Sequence, residues 1–154
     1  MHAVVRTDNM YGTRNPTGLV SVRYAPEGVP QDIDNGHLVK LVALESDDTR
    51  EVYIGDTPSI TDSISDIVLA ATPEVMYDKK KKEPCDFYNK AGNLIRGYYL
   101  HNNDVFSVTS DCLIGDAPKV GSLIELTNGT QMRETHFSGL SQSVSLEQGL
   151  SFGP

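Results

Sequence analysis

The segment Asp32-Ile33-Asp34-Asn35-Gly36 comes closest to a metal site, because alternating carboxylates and an amide before a glycine is how a calcium-binding loop begins. A helix-loop-helix calcium site, however, needs Gly at its sixth position and a bidentate Glu at its twelfth. Here Gly36 is fifth and Ala43 is twelfth, so the segment is expected to be a turn, with a non-helical calcium loop as the alternative. His2, His37, His101 and His136 are scattered, with no pair four residues apart and no Cys at a ligand spacing, which gives no zinc pattern. The chain has no nucleophile elbow, Gly-rich phosphate loop or dinucleotide fingerprint. Glu45, Asp47 and Asp48 share a polar loop, where solvated carboxylates are expected rather than a general acid and base pair raised in pKa by burial. These residues predict a protein that is not an enzyme and holds no cofactor or metal. A catalytic group assembled only in three dimensions is the alternative.

Charge narrows the partners. Thirteen Lys and Arg stand against 21 Asp and Glu, a formal net charge of -8 that repels a phosphate backbone, so no nucleic acid is expected. Tyr53, Tyr77, Phe87, Tyr88, Tyr98 and Tyr99 could stack on bases, but that charge assigns them to core packing or a protein interface. Lys79 to Lys82 have no apolar neighbours among them and are expected to be solvated or to lie against an acidic surface. The longest apolar run, Ile67 to Ala71, is far below the roughly 20 residues of a membrane-spanning helix, so no membrane is expected either. The first eight residues lack the basic start and apolar stretch of a secretory signal, which predicts a protein made in the cytoplasm. Cys85 and Cys112 are expected to be free thiols there.

The elements that would position these groups are short. With 154 residues, 13 Gly and 8 Pro, the chain is expected to form one core from turn-separated strands. Residues 1–17 lack periodicity and predict an N-terminal arm, with at most a short strand at Ala3 to Val5. In Gly18 to Tyr24, Val20, Val22 and Tyr24 share one face, as in a half-buried strand. His37 to Leu44 is apolar on both faces apart from Lys40, which predicts a strand covered on both sides. Glu51 to Ile54, Ile67 to Ala71, Glu74 to Tyr77, Leu94 to Leu100, Val105 to Thr109, Ser122 to Leu126 and Gln131 to Phe137 supply further short segments. A long loop is expected between Gly55 and Asp66, a helical turn within Cys85 to Lys90, and a hairpin at Asn128-Gly129. The expected fold is mainly β, a small barrel or sandwich of short antiparallel strands with one or two helical turns. The β domain would span 18–137, and 138–154 would be a Ser- and Gly-rich tail or extended segment.

From Asp32 to Leu126 the chain resembles a family of small proteins encoded among the head genes of tailed bacteriophages. The similar stretches are Asp-Ile-Asp-Asn-Gly-His-Leu-Val (32–39), Pro-Glu-Val-Met-Tyr-Asp (73–78), Phe-Tyr-Asn-Lys-Ala-Gly-Asn-Leu-Ile-Arg-Gly-Tyr (87–98) and Asp-Val-Phe-Ser-Val-Thr (104–109). This resemblance implies a decoration or cement protein on the outer capsid surface of a virion, with the major capsid protein as partner and a homo-oligomer of the chain itself left open. It carries no catalytic residue to transfer. Residues expected to make contacts are Arg6, Tyr11 and Arg14 in the arm, Lys79, Lys80, Lys81 and Lys82 in the basic run, and Arg96 and Tyr98. The alternatives are another virion component, such as a head fibre base, connector or tail protein, and a cytoplasmic, non-catalytic binding module.

Overall fold

A computed structural model describes residues 1–46 and 51–135. Ten strands run in chain order as β1 (Val5–Asn9), β2 (Leu19–Tyr24), β3 (Leu38–Leu44), β4 (Val52–Asp56), β5 (Ile67–Ala70), β6 (Leu94–Tyr99), β7 (Val105–Val108), β8 (Leu113–Ile114), β9 (Ile124–Thr127) and β10 (Gly129–Glu134). One helical segment, α1 (Tyr11–Arg14), is a single turn, and five 3₁₀ turns among the described residues supply the rest of the helical structure. The protein is mainly β, as the turn-rich composition predicts.

Five strands close a barrel in the order β2-β4-β3-β5-β6. Its pairings are antiparallel except β2 with β4, which run parallel because β4 inserts between β2 and β3. Val22 lies opposite Ile95 at the closing seam between β2 and β6. The inward face alternates as a half-buried strand must: Val22, Tyr24, Val39, Val68, Ala70 and Ile95 fill the lumen. Five strands enclose so little space that two inward positions take no side chain. A Cβ on Gly55 would lie 2.5 Å from Val39 Cγ1, and one on Gly97 would lie 2.9 Å from Val68 Cγ2.

The outer face of β3, β5 and β6 carries the second, larger core. Leu38, Ile67, Leu69 and Tyr98 pack there with Met10, Phe106, Cys112, Ile124, Leu126 and Met132. The covering layer has two parts, a β1-β7 ribbon and a three-stranded β8-β10-β9 sheet. All four residues of β5 are buried, so this strand is a wall shared by both cores. β3 is covered on both sides only at Leu38 and Val39, while Val42 and Leu44 at its far end are exposed.

Residues 1–17, expected as an arm, belong to the fold. β1 pairs with β7 through Val5 opposite Val108, and Ala3 and Met10 are buried in the larger core. The strand starts two residues later than the short one expected at Ala3 to Val5. Its register is set by a partner about a hundred residues away, which local periodicity does not reveal. Asn128-Gly129 forms the expected hairpin between β9 and β10. Phe137, His136, Asp47, Asp48 and the expected tail at 138–154 lie outside the described residues.

The crowding at the two lumen glycines gives a direct test. Gly97→Ala is expected to lower stability by roughly 1–3 kcal/mol, since neither Val68 nor Val20 can yield without disturbing the other wall. Urea denaturation checks it, and an unchanged midpoint would mean that the lumen has room to spare.

Candidate functional site

The chemistry-bearing segment Asp32 to Gly36 is a turn, and it is the point where four parts of the chain are joined. Asn35 is 1 % exposed, so its amide needs internal partners. Its Oδ1 accepts from the Thr72 backbone N–H at 3.0 Å and from Asn89 Nδ2 at 3.0 Å, while its Nδ2 donates to the Thr72 carbonyl at 2.9 Å. Asn89, also buried, bridges back to the Ile33 carbonyl through both its backbone N–H and its side chain. The two amides therefore join the turn, the exit of β5 and the segment before β6.

Gly36 follows with φ of +83°, a left-handed conformation that favours glycine, and its N–H donates to the Ala70 carbonyl at 2.7 Å. A Cβ there would lie 2.4 Å from Cys112 Sγ, so conformation and space both require glycine. The carboxylates face outward from the same turn. Asp32 Oδ1 accepts from the Ala91 N–H at 2.7 Å, and Asp34 accepts from the Ala3 N–H at 3.0 Å and pairs with His2 Nδ1 at 2.8 Å. These acceptors hold the chain's own N–H groups in separate directions. Among the described residues no group of three or more His, Cys, Asp or Glu is arranged to hold a metal ion.

A shallow depression lies beside the turn, lined by His2, Tyr24, Ile33, Asp34, His37 and Tyr88. His2 stacks on Tyr88 at 4.6 Å between ring centroids, and Lys81 Nζ lies 5.4 Å from the Tyr88 centroid on the neighbouring basic segment. His37 hydrogen-bonds Thr130 Oγ1 at 2.9 Å, and burial lowers its pKa against the pull of Asp34 and Asp111. Burial also pushes the Cys112 thiol up to about 12. The Cys85 thiol is raised by desolvation first and then by its hydrogen bond to Glu83.

The expected contact residues do not gather into one patch. Arg6 is exposed on β1 opposite Ser107. Tyr11 and Arg14 line a groove with Asn103 and Asp104, where the Tyr11 ring meets His101 at 4.3 Å. Arg96 is exposed on β6 and lines a separate depression with Tyr53, Leu94 and Tyr99. Lys79, Lys80 and Lys82 are exposed, with Lys81 partly covered by its place over Tyr88. Tyr98 is a correction. It is only 7 % exposed, because the outer face of β6 at that point is closed by Leu19 and by α1, whose Gly12 leaves room for its ring. It is therefore a core residue and no contact residue.

Val75 and Tyr77, neither of them among the expected contact residues, stand exposed on the segment after β5, so Tyr77 is not a core residue. The sequence signal was the apolar run Val75-Met76-Tyr77 beside the lysines, read there as a strand segment. No protein family, no curated protein and no solved structure matches this chain.

Two predictions come from this geometry. Asn35→Ala leaves the Thr72 N–H, the Thr72 carbonyl and one of the two Asn89 side-chain N–H groups without their partner, so it is expected to cost about 2–4 kcal/mol of folding stability. Asn102→Ala, at an exposed turn position, should stay within about 0.5 kcal/mol, and equal losses in the two variants by urea titration would refute the role of the buried amide. The second concerns the thiols, which are free. At pH 8 a thiol reagent should label half-buried Cys85 in the folded chain and reach Cys112 only after unfolding. Prompt reaction of both in the folded state would contradict the packing.

Proposed function

We propose that this chain is a structural virion protein that binds the outer surface of a tailed-phage capsid and stabilises it, with the major capsid protein as its partner. The observation that carries this reading is where the resemblance segments fall in the fold. Asp32 to Val39, Phe87 to Tyr98 and Asp104 to Thr109 meet around one junction: Asn89 bridges to Asn35 and Ile33, and Val108 packs beside Gly36. The polar side chains at this junction bind the chain's own backbone. Three of the four stretches that carry the resemblance thus lie in the scaffold, in keeping with a module that works by binding, and the fourth, Pro73 to Asp78, lies at the surface.

Physical grounds for the role are general. A shell under internal pressure gains resistance from any module that buries area across its subunit junctions, since binding to the assembled form favours that form. Two cores stacked on one wall strand give such a module a rigid body, and a net charge of -8 keeps decorated particles apart in solution. In this reading Asp34, Asn35 and Asn89 shape the module, and contacts belong to the exposed surface.

Stoichiometry and particle stability test it together. Washed virions of the encoding phage should hold the chain at copy numbers near those of the capsid lattice, by quantitative mass spectrometry. Particles lacking it should release DNA at a lower temperature. A handful of copies per particle would point to a connector, fibre base or tail component, and complete absence from washed particles would exclude a virion role.

A further inference from the structure

Pro73 to Tyr77 leaves β5 as a segment with no strand partner among the described residues, and in it exposed and half-buried residues alternate. At Glu74, Val75 and Tyr77 the usual chemistry of such an alternation is reversed. Glu74 and Met76 are half-buried, while Val75 is 60 % and Tyr77 is 95 % exposed. A strand at a protein surface ordinarily turns carboxylates to water and apolar side chains inward. Here partial burial shifts the Glu74 carboxyl upward from its ordinary value while an aromatic ring stands in solvent. Tyrosine is the residue type that anchors interfaces, because its ring supplies area with few rotatable bonds and its hydroxyl finds a partner.

The same stretch carries a concentrated charge. Lys79, Lys80, Lys81 and Lys82 hold four of the 13 Lys and Arg of a molecule whose formal charge is -8. Among the described residues none of the four ammonium groups pairs with a carboxylate. Both ends of the stretch are fixed. Thr72 is held by the Asn35 side chain, and the Asp86 carboxylate accepts from the Lys82 and Glu83 N–H groups in a capping box. The stretch is presented from a rigid base.

We propose that Val75 to Lys82 is the docking surface for an acidic, apolar-pocketed face of the shell protein, with Tyr77 and Val75 as anchors and the lysines meeting carboxylates around them. This rests on the capsid reading above. A protein face fits better than a phosphate backbone for two reasons. Val75 and Tyr77 need an apolar surface to cover them, and the acidic remainder of the molecule repels a polyanion that extends past the patch.

The test uses the full chain and shells of the encoding phage prepared without it, with bound and free protein separated by sedimentation. Tyr77→Ala and the quadruple change K79E/K80E/K81E/K82E should each weaken binding by about tenfold or more, with far-ultraviolet circular dichroism unchanged. Val120→Ser, at an exposed apolar residue elsewhere, should bind as the parent does. Added salt should weaken the parent more than the quadruple variant. Parent-like binding by both loop variants would overturn the docking surface and leave the capsid reading intact. Failure of the parent chain to bind shells would overturn the capsid reading itself. Retardation of a short DNA duplex by the parent but not by the quadruple variant would reassign the lysines to nucleic acid and overturn the proposal.

Discussion

A buried amide organises this molecule. Asn35 has no access to water, so its oxygen and nitrogen must be met from within, and the groups that meet them come from residues 37 and 54 positions further along the chain. Leaving any one of them unpaired would cost more than making it gains, which makes the arrangement all-or-none. The neighbours in the same turn extend the constraint. Gly36 lets Cys112 approach, Asp34 fixes His2 and Ala3, and Asp32 fixes Ala91. One five-residue turn thus sets the position of the N-terminus, the end of β5, the approach to β6 and the turn that leads into β8.

The second constraint is that β5 must serve two cores at once. Ile67 and Leu69 pack outward and Val68 and Ala70 pack into the lumen, so no residue of the strand is free to be polar. A five-stranded barrel is narrow, and its lumen needs glycine at 55 and 97 where larger barrels would take a side chain. Most of the apolar burial therefore lies outside the lumen, between the outer face of β3, β5 and β6 and the layer that covers it. The two constraints meet where β5 ends: Ala70 accepts from Gly36, and two residues later Thr72 pairs with Asn35.

Features with a local cause were legible in the sequence. The alternation Val20, Val22, Tyr24, the two-sided apolar start of β3 and the Asn128-Gly129 hairpin each follow from a period or a turn chemistry carried by adjacent residues. Features whose cause is distant were not. β1 lacks a period of its own and is a strand because β7 supplies a partner and Ala3 and Met10 find the larger core. β8 is two residues long and exists only as a parallel neighbour of β10. Asp32 to Gly36 could be read as a turn, but not as the junction it is, since Thr72 and Asn89 give no sign in the sequence that they complete it. Tyr98 and Tyr77 show the same limit from opposite sides: identical residue types in short apolar runs, one sealed under α1 and the other almost wholly in solvent.

That contrast bears on how a rigid acidic module would find a partner. The polar groups with the strongest need for pairing are turned inward and satisfied, so they contribute order. The exposed ammonium groups of Lys79, Lys80 and Lys82 keep their hydration until something displaces it, and the field of the run is felt only within about a Debye length of 8–10 Å against a molecule of opposite net sign. Long-range steering is therefore governed by the -8, and the lysines act only once a surface is near. A partner recognised in that way must be brought close by something other than net charge. A lattice that repeats the same site many times would do this by raising the local concentration of sites, and under the proposed docking the apolar exposure of Val75 and Tyr77 would then decide whether an encounter is kept.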